Sequence, residues 1–308
     1  MTAQFVPRHE LWRINYRSQR YMEFCTKAEF RERWEHLLDN LLCEKSGGIA
    51  PREVMKTPWM EKLTHMMEEC VLRGYAFPGP LRSPSYKPFA EGFERFRLKA
   101  DGVQCDKPVE MYKYGKAEHL EQLLSDGIIR ISAASSYSDS TFNHAVSDDE
   151  IQRPITLNRH NSSINLQYGN IPIEIVFDCN FKITLKCETD YYISCYSTVL
   201  ESRLFHDFNA DAVLLIHDNK AFVKKLRCAF SEQIGTGFVF RSRAVDYLDP
   251  LLANGRPLIP ELIKHFKFAY QAESRLLWKP KKPQERLEGP HFIKCGSLND
   301  IASLVSVD

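Results

Sequence analysis

The chain has 308 residues, 44% hydrophobic, 26% charged and 12% aromatic, with a formal net charge of +1. This is the profile of a soluble globular protein, long enough for two domains or one large one. It provides no bulk field to draw nucleic acid or a membrane surface, and no apolar run approaches the ~18 residues a membrane span needs. The opening "MTAQFVPRHELWRINYR" carries early charges and no apolar core, so it does not read as a secretory signal. Nine cysteines, none in a C-x-x-C pair, read as reduced thiols of a cytoplasmic protein with no metal site, although Cys179, Cys187 and Cys195 recur every eight residues.

The first third reads as helical. "TKAE" at 26–29 is a capping box, with Thr26 at the cap and Glu29 reaching back. Phe30, Trp34, Leu37, Leu38 and Leu41 follow at helical spacing, and a Gly-Gly pair at 47 and 48 closes the segment. "TPWMEKL" starts a second helix, with Thr57 as cap and Pro58 at the first helical position. Leu63, Met66, Met67, Cys70 and Val71 give it one apolar face, and Gly74 ends it. Four prolines in 77–89 rule out regular structure and predict a linker or surface strap. From about residue 107 the pattern changes. "VEMYKYG" and "IIRISAA" read as strands around a short helix that Gly127 closes, and the polar stretch 135–170 reads as one long loop. Strands dominate afterwards, ending in "FKFAYQAESRLLW" and "HFIKCG", with "NKAFVKKLRCAF" as the helix among them. Short strands with few helices predict an antiparallel α+β domain over 107–308 behind a helical region over 1–106.

Three strands carry unusual polar groups: Tyr112, Lys113 and Tyr114; Ser194, Ser197 and Thr198; and Gln271 with Glu273, which share a face if 268–278 is one strand. An aromatic-basic first strand, a serine-bearing middle strand and a late Q-x-E strand, in that order, resemble the ADP-ribosyltransferase fold. The chain is more similar still to a group of uncharacterised bacterial proteins related to that fold. The features that carry this likeness read here "YKYG", "IRISAASSYSDSTFN", "SCYS" and "QAESRLLW", and they cover roughly residues 107–295.

The resemblance implies two small antiparallel sheets around an NAD cleft. It implies transfer of ADP-ribose from NAD, as co-substrate, to a macromolecule, or NAD hydrolysis. Breaking the nicotinamide–ribose bond builds positive charge on the sugar, which a fixed carboxylate stabilises. In this reading Glu273 is that carboxylate and Gln271 orients the acceptor. Ser197, with Ser194 or Thr198, braces Glu273 and the ribose. Tyr112 or Tyr114 stacks on the cationic ring. Lys113 holds phosphates or ribose where relatives carry Arg or His; Arg130, Arg203 and Lys116 are the other candidates for that role. Phe142 and Asn143 edge the pocket. By the same analogy the cellular setting is a bacterial toxin or anti-phage effector with a neutralising antitoxin partner.

Each residue also has an ordinary reading. Glu273 and Arg275 fit a cross-strand ion pair on a solvated face. The serines and tyrosines fit strand packing, and Lys113 fits a solvent-facing position. His206-Asp207 and His217-Asp218 match no metal spacing and read as surface or turn residues. Between Lys264 and Lys294 basic residues outnumber acidic ones by five, and "KPKKP" directly follows the Q-x-E strand. That local excess favours RNA over protein as acceptor. A NAD glycohydrolase, and a non-enzymatic binding module on a degenerate transferase fold, are the alternative functions.

Overall fold

The structure is a computed structural model that describes residues 6–45, 48–52, 57–76, 108–138, 150–157, 163–168, 171–176, 181–252 and 258–306. The proline-rich segment 77–89 lies outside the described residues, as do Phe142 and Asn143.

Helices open the chain: α1 (Arg8–Gln19), α2 (Lys27–Leu41) and α3 (Thr57–Arg73). The capping box forms as its residues dictate. The Glu29 amide donates to Thr26 Oγ1 at 3.2 Å, and the Thr26 amide donates to Glu29 Oε2 at 2.8 Å. Tyr16, Tyr21, Met22, Phe30, Leu37, Met66 and Cys70 bury themselves between these helices and reach Phe266 of the later chain. The Gly-Gly pair does not end α2. The helix stops at Leu41, and a small antiparallel hairpin follows, β1 (Leu42–Lys45) with β2 (Gly48–Pro51).

The rest is α+β around a largely antiparallel sheet. Its strands are β3 (Met111–Gly115), β4 (Ile128–Ala133), β9 (Tyr192–Ser197), β10 (Ala212–Ile216), β11 (Phe238–Ala244), β14 (Glu273–Pro280), β15 (His291–Lys294) and β16 (Ala302–Ser306). The main path runs β11-β14-β9-β3-β10-β16, with β15-β4 joining at β9. The all-apolar "AVLLI" of β10 pairs on both edges, with β3 and β16, and is buried throughout because both its faces are covered: Ala212, Leu214 and Ile216 join one core, Val213 and Leu215 another. Between β3 and β4 lies α4 (Ala117–Asp126), ended by Gly127 at φ 70°, where a side chain would collide with the Gly296 backbone. Two further helices, α5 (Ser202–Asp207) and α6 (Asn219–Gln233), flank β10 in sequence. The core packs α4 and α6 on one sheet face, with Phe230 stacked on Trp278 at 4.7 Å between ring centres.

Three expectations are corrected. The stretch 135–170 is not one loop: β5 (Gln152–Leu157) and β6 (Ser163–Tyr168) lie inside it, paired with β8 (Phe181–Lys186) and β7 (Ile171–Val176). Polar strand faces hid their period. The segment 268–278 is not one strand. Phe266–Gln271 is 3-10 helix, Ala272 adopts the left-handed conformation at φ 42°, and β14 begins only at Glu273. Finally, "KPKKP" begins inside β14, whose last two residues are Lys279 and Pro280, and its Lys281 and Lys282 lie past the far end of that strand, roughly 26 Å from Glu273.

Candidate functional site

β9 forks the sheet. One edge pairs with β14 along its whole length. The other pairs with β4 at Tyr192 and Ile193, and with β3 only at Ser197. Between those two partners the edge lacks a ladder neighbour, and Lys113 of β3 fills in, its Nζ donating to the Cys195 carbonyl at 2.9 Å. Lys113 is thus neither solvent-facing nor free for phosphates. Burial pushes its pKa below the ordinary lysine value.

A cavity of about 170 Å³ lies at this fork, walled by Tyr112, Tyr114, Tyr137 and Phe208 and floored by Ser197, Lys264, Gln271 and Glu273. Glu273 pairs in register with Ser197, which pairs with Tyr112. Side chains directly opposite across antiparallel strands share a face, so acid, hydroxyl and phenol form one row.

Glu273 is only 7% exposed, so the solvated ion pair expected from sequence is a buried one. Its Oε1 accepts from Arg275 Nε at 2.7 Å and its Oε2 from Lys264 Nζ at 3.0 Å. Burial pushes the carboxyl up, but the Arg275 guanidinium and Lys264 ammonium outweigh it and hold Glu273 well below the usual carboxylate range. Arg275, fully buried, clasps Glu150 through both terminal nitrogens at 2.6 and 2.9 Å. Lys264 comes from a short parallel pair, β12 (Asp246–Leu248) with β13 (Ile263–His265). Tyr247 of that pair accepts the Glu273 amide at 2.7 Å.

Gln271 reaches the cavity from the 3-10 turn rather than from the strand. It is 2% exposed, and its Oε1 accepts from Lys264 Nζ at 2.8 Å. An ammonium only donates, which fixes the amide's orientation. Gln271 Nε2 is left buried, with no hydrogen-bond partner among the described residues. Helix α2 holds this turn. Asn40 Nδ2 donates to the carbonyls of Phe266 and Lys267 at 3.2 Å each, and Asn40 Oδ1 accepts from the Tyr270 amide at 2.7 Å.

The other expected residues are placed as follows. Ser197 Oγ braces backbone, donating to the Gln271 carbonyl at 2.7 Å, and does not touch the Glu273 carboxylate. Ser194 lies on the opposite strand face, its Oγ donating to the Tyr196 hydroxyl at 3.0 Å, and does not line the cavity. Thr198 is exposed, with its Oγ1 on the Ala272 carbonyl at 3.1 Å. Tyr112 and Tyr114 both line the cavity, and the Tyr114 hydroxyl also accepts from the Glu201 amide at 2.8 Å. Lys116 pairs with Asp211 at 3.2 Å, Arg203 with Asp39 and Asp207 at 3.3 and 3.4 Å, and Arg130 is exposed on β4. Asp218 caps α6 at the Ala221 amide, a turn role. His217 and Asp207 are buried rather than on the surface, with His217 Nε2 3.0 Å from Ser303 Oγ.

Sequence reasoning missed Lys264, Glu150, Tyr137, Phe208 and Tyr247. Tyr137 lies within the serine-rich motif but was not singled out in it; the others arrive from segments with no motif, and only the buried charge of Arg275 demanded partners for it. Among the described residues no group of His, Cys, Asp or Glu is arranged to hold a metal ion, and no helix is long and apolar enough to cross a membrane. No family model, curated protein or solved structure matches the chain.

Proposed function

We propose that the chain is an ADP-ribosyltransferase that takes NAD as co-substrate and modifies a macromolecule. One observation carries this reading: an ionised, buried carboxylate, Glu273, faces an aromatic-walled cavity beside a buried amide nitrogen, Gln271 Nε2, that has no hydrogen-bond partner within bonding distance among the described residues. The pieces fit the nicotinamide end of a dinucleotide. Tyrosine rings suit a cationic aromatic ring, Gln271 Nε2 offers a donor to a hydroxyl or carbonyl oxygen, and Glu273 offers fixed negative charge. The cavity is smaller than the roughly 300 Å³ at which whole-ligand sites begin, so only one end of NAD enters it.

Because Arg275 and Lys264 keep Glu273 ionised, it is no proton donor at neutral pH. Its part is electrostatic: it stabilises a sugar that becomes cationic as nicotinamide leaves. The split antiparallel architecture of the ADP-ribosyltransferases belongs to this proposal, supported by the fork at β9. So does a cytoplasmic role as a toxin or anti-phage effector neutralised by an antitoxin, supported by the resemblance alone. With water as acceptor, the same site is a NAD glycohydrolase. The observation that favours a non-enzymatic binding module is that both Glu273 oxygens already hold cations.

Incubation with NAD labelled in the adenylate separates these readings. Label on RNA or protein marks transfer, and free ADP-ribose marks hydrolysis. Intact NAD, with nicotinamide release no higher than in a buffer blank, rejects both. In the transferase, Glu273→Gln lowers nicotinamide release per folded molecule by about 10³-fold, the scale of losing one preorganised electrostatic stabiliser.

A further inference from the structure

A second concavity lies on the opposite face of the sheet, between α6 and β11. It encloses about 720 Å³. Along α6, Lys220, Lys224 and Arg227 recur at intervals of four and three, which places them on one stripe facing the groove. All three are exposed, and none forms an ion pair among the described residues. Glu232 is the lone acid among the groove's lining residues. The buried stripe of α6 is different: Phe222, Leu226, Ala229 and Phe230 hold the helix on the sheet. The far wall is Phe240 and Ser242 of β11, with the Arg227 guanidinium 5.9 Å from the Phe240 ring centre.

β11 ends the sheet path, and the positive charge continues around it. Arg241 and Arg243 alternate with the groove residues and project to the other face, where Arg241 lies 3.9 Å from Glu261 and Arg243 has no ion pair among the described residues. Arg243 is exposed and sits opposite Arg275, whose Nε holds Glu273. The cationic track therefore runs from α6 across the sheet edge to the face that bears the cavity.

Like charges at three- and four-residue spacing repel along a helix, so a solvated α6 gains nothing from this stripe. A polyanion does gain. It exchanges condensed counterions for these side chains, and Phe240 beside a guanidinium offers a flat surface for a base. A duplex turns its base faces inward, whereas a single strand presents them.

We propose that the groove between α6 and β11 binds single-stranded nucleic acid, its phosphates on Lys220, Lys224 and Arg227 and its path leading over Arg243 toward the cavity face. This goes beyond the transfer reading and stands on different residues.

The test measures fluorescence anisotropy of the full chain with a labelled mixed-sequence 15-nucleotide RNA, without NAD, across about 50–300 mM salt. Matched single-stranded DNA, the corresponding duplex and polyglutamate are parallel arms. The expected result is saturable binding of the single strands, with RNA equal to or tighter than DNA. The triple variant Lys220→Glu, Lys224→Glu, Arg227→Glu weakens it at least about tenfold. With ~0.7 counterions released per phosphate contact on a single strand, the salt slope falls by about 2. Should the triple variant unfold, Lys224→Gln alone lowers the slope by about 0.7. The proposal is overturned by an unchanged triple variant, by tighter binding of the duplex or polyglutamate, or by a larger loss from Lys281→Glu with Lys282→Glu in the loop after β14. Nicotinamide release without RNA binding rejects this site alone. RNA binding without nicotinamide release rejects only the transferase.

Discussion

Two buried carboxylates invite comparison. Asp249 accepts from Arg33 at 2.8 and 2.7 Å and from Lys62 at 2.6 Å, locking the helical layer to the chain beyond β12. Glu273 is held by Arg275 and Lys264 at nearly the same distances. Both are kept well below the usual carboxylate range by cations that outweigh burial. The difference is what lies alongside. Asp249 lines neither cavity described above, whereas Glu273 and the half-satisfied amide of Gln271 look onto a void. A perturbed pKa therefore does not by itself mark a chemical role; what sets Glu273 apart from Asp249 is the space beside it and, among the described residues, the unmet hydrogen bond of Gln271.

Breaking each network in turn sharpens the contrast. Asp249→Asn strips both Arg33 and Lys62 of their counter-charge, whereas Glu273→Gln strips Lys264 alone, because Arg275 keeps Glu150; each leaves a buried cation uncompensated and costs about 3–5 kcal/mol in denaturant unfolding, with Asp249→Asn at the upper end. On the proposed transferase reading, Asp249→Asn retains nicotinamide release per folded molecule while Glu273→Gln loses it. Equal loss of turnover in the two variants would erase the distinction. The next effect is acid sensitivity. Burial and the neighbouring His265 bring His36 down to about 3, and burial with Lys62 brings His65 down to about 4. The unfolded chain protonates both near pH 6.5 while the folded chain does not, so stability is full above that value and falls as pH drops toward 4. Each histidine contributes a loss of about 2 kcal/mol between pH 7 and 5. The depressed carboxylates of Asp249 and Glu273 begin to add theirs below about pH 5, as the unfolded chain takes up protons that the folded chain does not. Melting temperatures of His36→Gln and His65→Gln across that range test this, and a curve as steep as the parent's contradicts it. The smallest effect is at Gln271. Gln271→Met gives up one bond to Lys264 but also removes an unpaired donor, so stability changes by less than about 1 kcal/mol. Arg33→Met, in the closed network, costs several times more in the same unfolding measurement.

The helical start, the strand succession and the polar motifs of β3, β9 and β14 were legible because period and capping are local signals. Thr26 and Glu29 need only each other. The site was legible in part. Tyr112, Ser197 and Glu273 align because their strands are neighbours, which a motif order can signal. Gln271 was assigned to the right cavity by the wrong geometry: alternation reads as strand, and nothing in "YQAE" announces a left-handed alanine. Ser194 fell on the wrong face because a three-residue step reverses direction in a strand. Lys264 and Glu150 are bound to the site by long-range electrostatics, which no short window contains.

The clamp that Asn40 places on the 266–271 turn has a practical corollary. A truncation drawn where the composition changes, near residue 107, would delete the one side chain that receives the Tyr270 amide and ties down two carbonyls beside it. The shortest fragment able to keep the floor of this pocket in shape therefore starts upstream of α2, and an antibody or peptide that peels α2 away would disarm the pocket without ever entering it.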